Sequence, residues 1–265
     1  ALAPDNGHDP LLGLETTALG FVAGFTGKAI EDGLAAQGIH TDFIHLPEGN
    51  SRINVKVKHG DETEINGQGP VITEEAINEL FAKLDTLTKE DILVLAGSIP
   101  NTLPEDIYEK ILASLESKGI RVVVDATKDL LLNVLKYHPF LIKPNNHELG
   151  EMFGTVCKTD EDIVHYAKKL QEKGAVNVLI SMAGDGAILI TEDGQNIKMG
   201  TPKGKVVNSV GAGDSMVAGF ITGYIRGGNY EEALKSGTAA GSATAFSEGL
   251  ASLEMYEKML KQITE

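Results

Sequence analysis

The sequence predicts an α/β fold: a mostly parallel sheet flanked by helices, with a small β-sheet lid. Three observations lead there. From residue 91 onward, strand-like and helix-like segments alternate with regularity, the pattern of successive βαβ units. Segments such as LVLA and VVVD are apolar throughout, as strands are when helices cover both faces of a parallel sheet. INVKVK and ETEIN instead alternate in polarity, as half-exposed antiparallel strands do. Residues 42–68 therefore read as a lid inserted into an α/β core of residues 1–41 and 69–265.

In order, ALAPDNGHDP has turn chemistry and no apolar period, and reads as irregular. TALGFVAGF reads as a buried strand and GKAIEDGLAAQG as a helix closed by Gly38. TDFIHL and the two alternating segments follow, then a helix over ITEEAINELFAKLDTL. DILVLAG, RVVVDA, FLIKPN and NVLISM are the core strands; GAILIT and NIKMG extend the set. LPEDIYEKILASLESKG, DLLLNVLKYH, NHELGEMFG and TDEDIVHYAKKLQEKG are the helices between them. Three helices close the chain, opening at GDSMVAGF, YEEALKSG and SLEMYEKM. No internal repeat or low-complexity linker divides it.

Composition narrows the function. A formal net charge of −15 argues against nucleic-acid binding, which needs a basic face. No apolar run approaches the roughly 18 residues that span a bilayer, so no membrane partner is expected. Cys157 is the single cysteine, which excludes an internal disulfide framework and fits a reducing, cytoplasmic setting. Gly24-Phe25-Thr26-Gly27-Lys28 fails as a phosphate loop, because Val22 and Ala29 stand where a Gly and a Ser or Thr are required. Neither a G-x-G-x-x-G, an H-x-x-x-H nor a G-x-S-x-G pattern occurs.

The strongest chemical signal is Asn208-Ser209-Val210-Gly211-Ala212-Gly213-Asp214, leading into an apolar helix. Gly211, Ala212 and Gly213 carry little side chain, so a phosphate can approach their amides at a helix N-terminus. Asp214, in the first turn, is placed to take a proton from a hydroxyl attacking a γ-phosphate. A helix cap with a tight glycine turn would have the same sequence. Lys143-Pro144-Asn145-Asn146-His147-Glu148 ends a strand, where ligands of open α/β sheets gather. Lys143 can reach a nucleotide phosphate and Glu148 can hold Mg²⁺ through water; Asn145 with Glu148 is equally a capping arrangement. Ser181, Gly184 and Gly186 offer backbone surface to a nucleotide, or simply a hairpin. Arg52 suits a bidentate contact to a phosphate on the substrate, and Ser98 a sugar hydroxyl.

Together NSVGAGD, KPNNHE, SMAGDGA and GSIP resemble the PfkB branch of the ribokinase-like kinases, from about Thr16 to the C-terminus. SRINVKVK with ETEINGQGP looks most like the bacterial 1-phosphofructokinases, and tagatose-6-phosphate kinases share much of the pattern. The resemblance implies a ribokinase-like sheet with a β lid that pairs two subunits as a homodimer. It implies ATP and Mg²⁺ with a sugar-phosphate acceptor, fructose 1-phosphate being the first expectation and tagatose 6-phosphate or another phosphorylated ketose the second. It further implies Asp214 as base, Gly211, Ala212 and Gly213 as anion hole, and Asn145 and Glu148 as organisers of Mg²⁺. Lys143, Ser181, Gly184 and Gly186 would then lie near ATP, with Arg52 on the sugar phosphate. A non-catalytic nucleotide or sugar-phosphate sensor is the reading from another class, since fold alone does not fix function. The family's opening strand, its sugar-binding Asp and a Gly-Gly-Lys-Gly stretch have no match before Leu14, so the sequence is expected to lack an N-terminal part of the pattern.

Overall fold

A computed structural model describes residues 12–59, 61–97 and 99–264. The opening segment read above as irregular lies outside them. Two short parallel pairs come first: β1 (Thr17–Ala18) with β3 (His40–Thr41), and β2 (Phe21–Ala23) with β4 (Ile44–Leu46). Helix α1 (Gly24–Ala36) joins β2 to β3. TALGFVAGF is thus two short strands and a helix start rather than one strand. The helix begins at the turn of Gly24, at φ 59°, where a Cβ would lie 2.1 Å from Asn50 Oδ1. Only glycine fits that close approach with a left-handed backbone.

Next comes a hairpin of β5 (Asn54–His59) and β6 (Asp61–Asn66), antiparallel, with Asn54 opposite Asn66 and Val55 opposite Ile65. Helix α2 (Glu74–Asp85) starts at the cap Thr73, whose hydroxyl accepts from Ala76 N–H. The remaining elements are β7 (Ile92–Ala96), α3 (Ile107–Leu115), β8 (Arg121–Asp125), α4 (Lys128–Val134), β9 (Leu141–Ile142) and α5 (Asn146–Met152). After these run α6 (Asp160–Glu172), β10 (Asn177–Ser181), β11 (Ala187–Ile190), β12 (Asn196–Met199), α7 (Ala212–Gly227), α8 (Tyr230–Ala245) and α9 (Leu253–Thr264).

The central sheet has six strands in the order β12-β11-β10-β9-β8-β7. Strands β7 to β10 are parallel, and β11 and β12 are added antiparallel. Because successive side chains alternate across a sheet, each apolar strand feeds two cores. Val122, Val124, Ile142, Val178 and Ile180 meet Leu80, Ile111, Leu131, Leu149 and Leu170 on one face. Val123, Leu141, Leu179 and Leu189 meet Met216, Phe220 and Leu234 on the other. This three-layer arrangement is the predicted α/β class. Helices α7 and α8 approach so closely that a Cβ on Gly219 would lie 2.6 Å from Ser236 O. Phe220 is fully buried there, and truncating it to Ala would cost about 3–5 kcal/mol. No helix among the described residues is long and apolar enough to cross a membrane.

Candidate active site

Parallel strands share a direction, so β7 to β10 deliver Ala96, Asp125, Ile142 and Ser181 to one edge of the sheet. The β8–β9 register sets Val123 opposite Leu141 and Val124 opposite Ile142. One step further brings Asp125 level with Lys143. Val123 and Leu141 face α7 and α8, so the period of two turns Asp125 and Lys143 the same way. Lys143 Nζ lies 3.3 Å from Asp125 Oδ1, with side chains only 8% and 18% exposed. Burial pushes the Asp125 carboxyl above its ordinary range; Lys143 opposes that, and the charges of Asp214 and Glu148 reinforce it. Asp125 was missed in the sequence. Its signal was a lone carboxylate ending the apolar run VVVD, visible only once β8 is aligned with FLIK.

Gly211 caps α7 in the left-handed region, at φ 80° and ψ −5°. The three amides assigned to anion binding are not equivalent. Ala212 N–H donates to Ser209 O at 3.2 Å, and Ser215 N–H donates to Gly211 O at 2.9 Å. The amides of Gly213 and Asp214 donate to no acceptor among the described residues, as first-turn amides do before a ligand or water meets them. The Asp214 side chain is exposed, without an ion pair or hydrogen bond among the described residues. The macrodipole favours negative charge at this end of a 16-residue helix.

The capping arrangement at α5 is present in full. Asn145 Oδ1 accepts from His147 N–H at 2.9 Å and from Glu148 N–H at 2.8 Å, while Glu148 Oε2 accepts from Asn145 N–H at 2.8 Å. An isolated parallel bridge joins Asn145 to Ser181, and Ser181 N–H donates to Pro144 O at 3.3 Å. Asn145 therefore holds α5 against the end of β10. Glu148 spends one oxygen on the cap and keeps Oε1 without a hydrogen bond among the described residues. No group of three or more His, Cys, Asp or Glu forms a metal cage among the described residues. The donor set fits Mg²⁺, which keeps several waters and takes one or two carboxylates with phosphate oxygens.

Ser181 to Gly186 is a strand-to-strand turn. Ser181 pairs with Ala187 across the β10–β11 hairpin, and Met182 N–H donates to Gly186 O at 2.8 Å. Gly186, at φ 93°, has a local cause: a Cβ there would lie 2.0 Å from Met199 O. Gly184 has open space on its bare side, while its carbonyl accepts from Thr201 Oγ1 at 2.8 Å.

Arg52 is exposed and precedes β5 rather than lying in it. It is presented by a buried neighbour. Ser51 Oγ accepts from Ala23 N–H at 3.0 Å, and Ser51 O accepts from Thr26 Oγ1 at 2.8 Å. The lid's entry is thereby fastened to the end of β2. Ser98 lies outside the described residues. A cavity of about 430 Å³ is lined by His138, Gln171, Gly174, Val176 and Glu192 among others. It sits at the opposite edge of the sheet, before β9 and β10 begin, so charge convergence rather than hollow volume marks the active edge.

Comparison with known proteins identifies the family. The family described as pfkB family carbohydrate kinase matches residues 10–255. A 1-phosphofructokinase of Bacillus subtilis (strain 168) is 50% identical over 246 residues, covering 93% of this chain and 80% of that protein. A D-tagatose-1-phosphate kinase of Bacillus licheniformis is 39% identical over 253 residues, covering 95% and 83%. The structure of phosphofructokinase-2 from Escherichia coli in complex with substrates and products superposes with a TM-score of 0.87 at 25% identity, covering 96% and 84%.

Proposed function

Because the chain belongs to the pfkB family of carbohydrate kinases, we propose that it transfers the γ-phosphoryl group of ATP to fructose 1-phosphate, giving fructose 1,6-bisphosphate and ADP. The observation that carries this reading is the leading turn of α7, where the exposed Asp214 stands beside the amides of Gly213 and Asp214, which have no acceptor among the described residues.

Asp214 takes the proton of the acceptor hydroxyl as its oxygen attacks the γ-phosphorus, and the bond to the ADP oxygen breaks in line. The Gly213 and Asp214 amides, with Gly211 opening the turn, meet the negative charge of the group in flight. Pre-aimed dipoles of this kind commonly supply a large share of such catalysis. Lys143 meets a nucleotide phosphate, and Ser181 and Gly184 line its approach. Glu148, held by Asn145, is the carboxylate that would hold a hydrated Mg²⁺, which when bound neutralises phosphate charge. Arg52 takes the acceptor's own phosphate.

The lid of residues 42–68, inserted in a core of residues 1–41 and 69–265, belongs to this proposal. The β5–β6 hairpin supports it, whereas the β4–β2 pairing ties residues 44–46 to the core. The exposed Ile53, Val55 and Ile65 support a homodimer through the hairpin. A cytoplasmic location fits the substrates.

A second reading is favoured by the D-tagatose-1-phosphate kinase relative: a tagatose phosphate as acceptor. Coupled ADP release over fructose 1-phosphate, D-tagatose 1-phosphate and tagatose 6-phosphate decides between them by kcat/KM. Fructose 1-phosphate is expected to rank first. Asp214→Asn is expected to retain ATP binding and to lower kcat by roughly 10²–10⁴-fold. ATP binding with no transfer to any ketose phosphate would support a sensor instead.

A further inference from the structure

We propose that Asp125 is a positioning residue: its carboxylate holds the Lys143 ammonium against the leading turn of α7, so that an incoming polyphosphate meets a cation already in place. This rests on the kinase reading only for the identity of the polyphosphate.

Three observations carry it. Lys143 is almost fully buried, and Asp125 is the one carboxylate in ion-pair range of it among the described residues. A buried ammonium without such a partner either loses its proton or withdraws toward water. The β8–β9 register aims both side chains at the α7 face of the sheet. Finally, Lys143 Nζ lies 3.1 Å from the point a Cβ on Gly213 would occupy, and the Gly213 amide donates to nothing among the described residues. A separation of 3.3 Å is loose for a charged pair, and an ammonium has three N–H donors. Lys143 can therefore keep Asp125 and still donate to a phosphate oxygen.

Two physical effects of removing Asp125 have opposite signs. If the carboxylate acted only as a charge, its loss would relieve repulsion and tighten polyphosphate binding, since Asp214 and Glu148 already lie within electrostatic range. If it acts through Lys143, its loss weakens binding because the cation is no longer held.

The test is a double-mutant cycle read by titration calorimetry with ATP and, separately, inorganic tripolyphosphate, on wild type, Asp125→Asn, Lys143→Met and the double variant. Asp125→Asn is expected to weaken both ligands about tenfold, with KM for ATP rising more than kcat falls. In the Lys143→Met background the same change is expected to leave binding equal or tighter. Equal or tighter binding by Asp125→Asn with Lys143 present overturns the proposal. So does an undiminished loss when Lys143 is absent, or failure of the wild type to bind either ligand. ADP release by the wild type is measured alongside, so a failed kinase reading shows as binding without turnover and leaves the cycle readable. Should Asp125→Asn lose its far-UV spectrum, Asp125→Glu carries the cycle. It displaces the carboxylate by one methylene, and several-fold weaker binding that vanishes with Lys143→Met is expected, unchanged binding being the contrary result.

Discussion

The Lys143 ammonium lies 3.1 Å from the point that a Cβ on Gly213 would occupy. Glycine at this position thus serves a neighbouring side chain as well as any ligand, although the two residues are 70 apart in the chain.

Gly213→Ala separates stability from function. Alanine gains up to about 1 kcal/mol of helix propensity, so Tm should hold or rise. The added methyl displaces the ammonium by a few tenths of an ångström, and kcat/KM for ATP should fall roughly tenfold. Thermal unfolding and initial rates on one preparation check both halves.

Glu148→Gln asks whether that residue does more than cap α5. Glutamine retains an oxygen to accept from Asn145 N–H, so far-UV spectrum and Tm should stay near wild type. Removing the charge should raise the Mg²⁺ concentration for half-maximal rate roughly tenfold. An unchanged Mg²⁺ dependence would leave Glu148 a cap alone.

Asp162 tests electrostatics far from the site. It accepts from Lys158 N–H at 3.0 Å and Thr159 N–H at 3.1 Å, and these bonds hold its carboxyl below the ordinary range. A depressed folded-state value means the contribution is complete above the unfolded value of about 3.9 and is lost as pH falls through the folded one. Asp162→Ala should therefore unfold at lower temperature than wild type at pH 7, with the gap closing below about pH 4. A gap independent of pH would assign the effect to packing.

Tyr230 sits at the opposite edge of the sheet. Its hydroxyl donates to Glu192 Oε1 at 2.7 Å and accepts from Asn177 Nδ2 at 3.2 Å. Burial, then Glu192, raises the phenol above its usual range. Tyr230→Phe should lower stability by about 1–2 kcal/mol while kcat stays within about twofold of wild type. Denaturant titration and a rate measurement decide it.

Much of the fold was legible because its signals are local. Apolar runs such as VVVD and the alternating hairpin strands announce themselves within a few residues. The helix start inside TALGFVAGF was not legible, since Gly24 is crowded by Asn50, 26 residues beyond it. Nor was the reason for Gly186, which lies in the backbone of β12. At the site, Asp214 and the glycines before it stood out as a contiguous string. Asp125 did not, because nothing within its own segment distinguishes it from a strand end.

By itself the sequence determined the α/β class, the family resemblance and the candidate residues, because periodicity, composition and short motifs are properties of neighbouring positions. Only the tertiary structure decided which candidates act on one another. It made Asn145 and Glu148 a mutual cap, occupied the Ala212 amide, and set Asp125 against Lys143 below Gly213. Those outcomes depend on strand register and helix approach, and both are set by how the two cores pack rather than by any one segment.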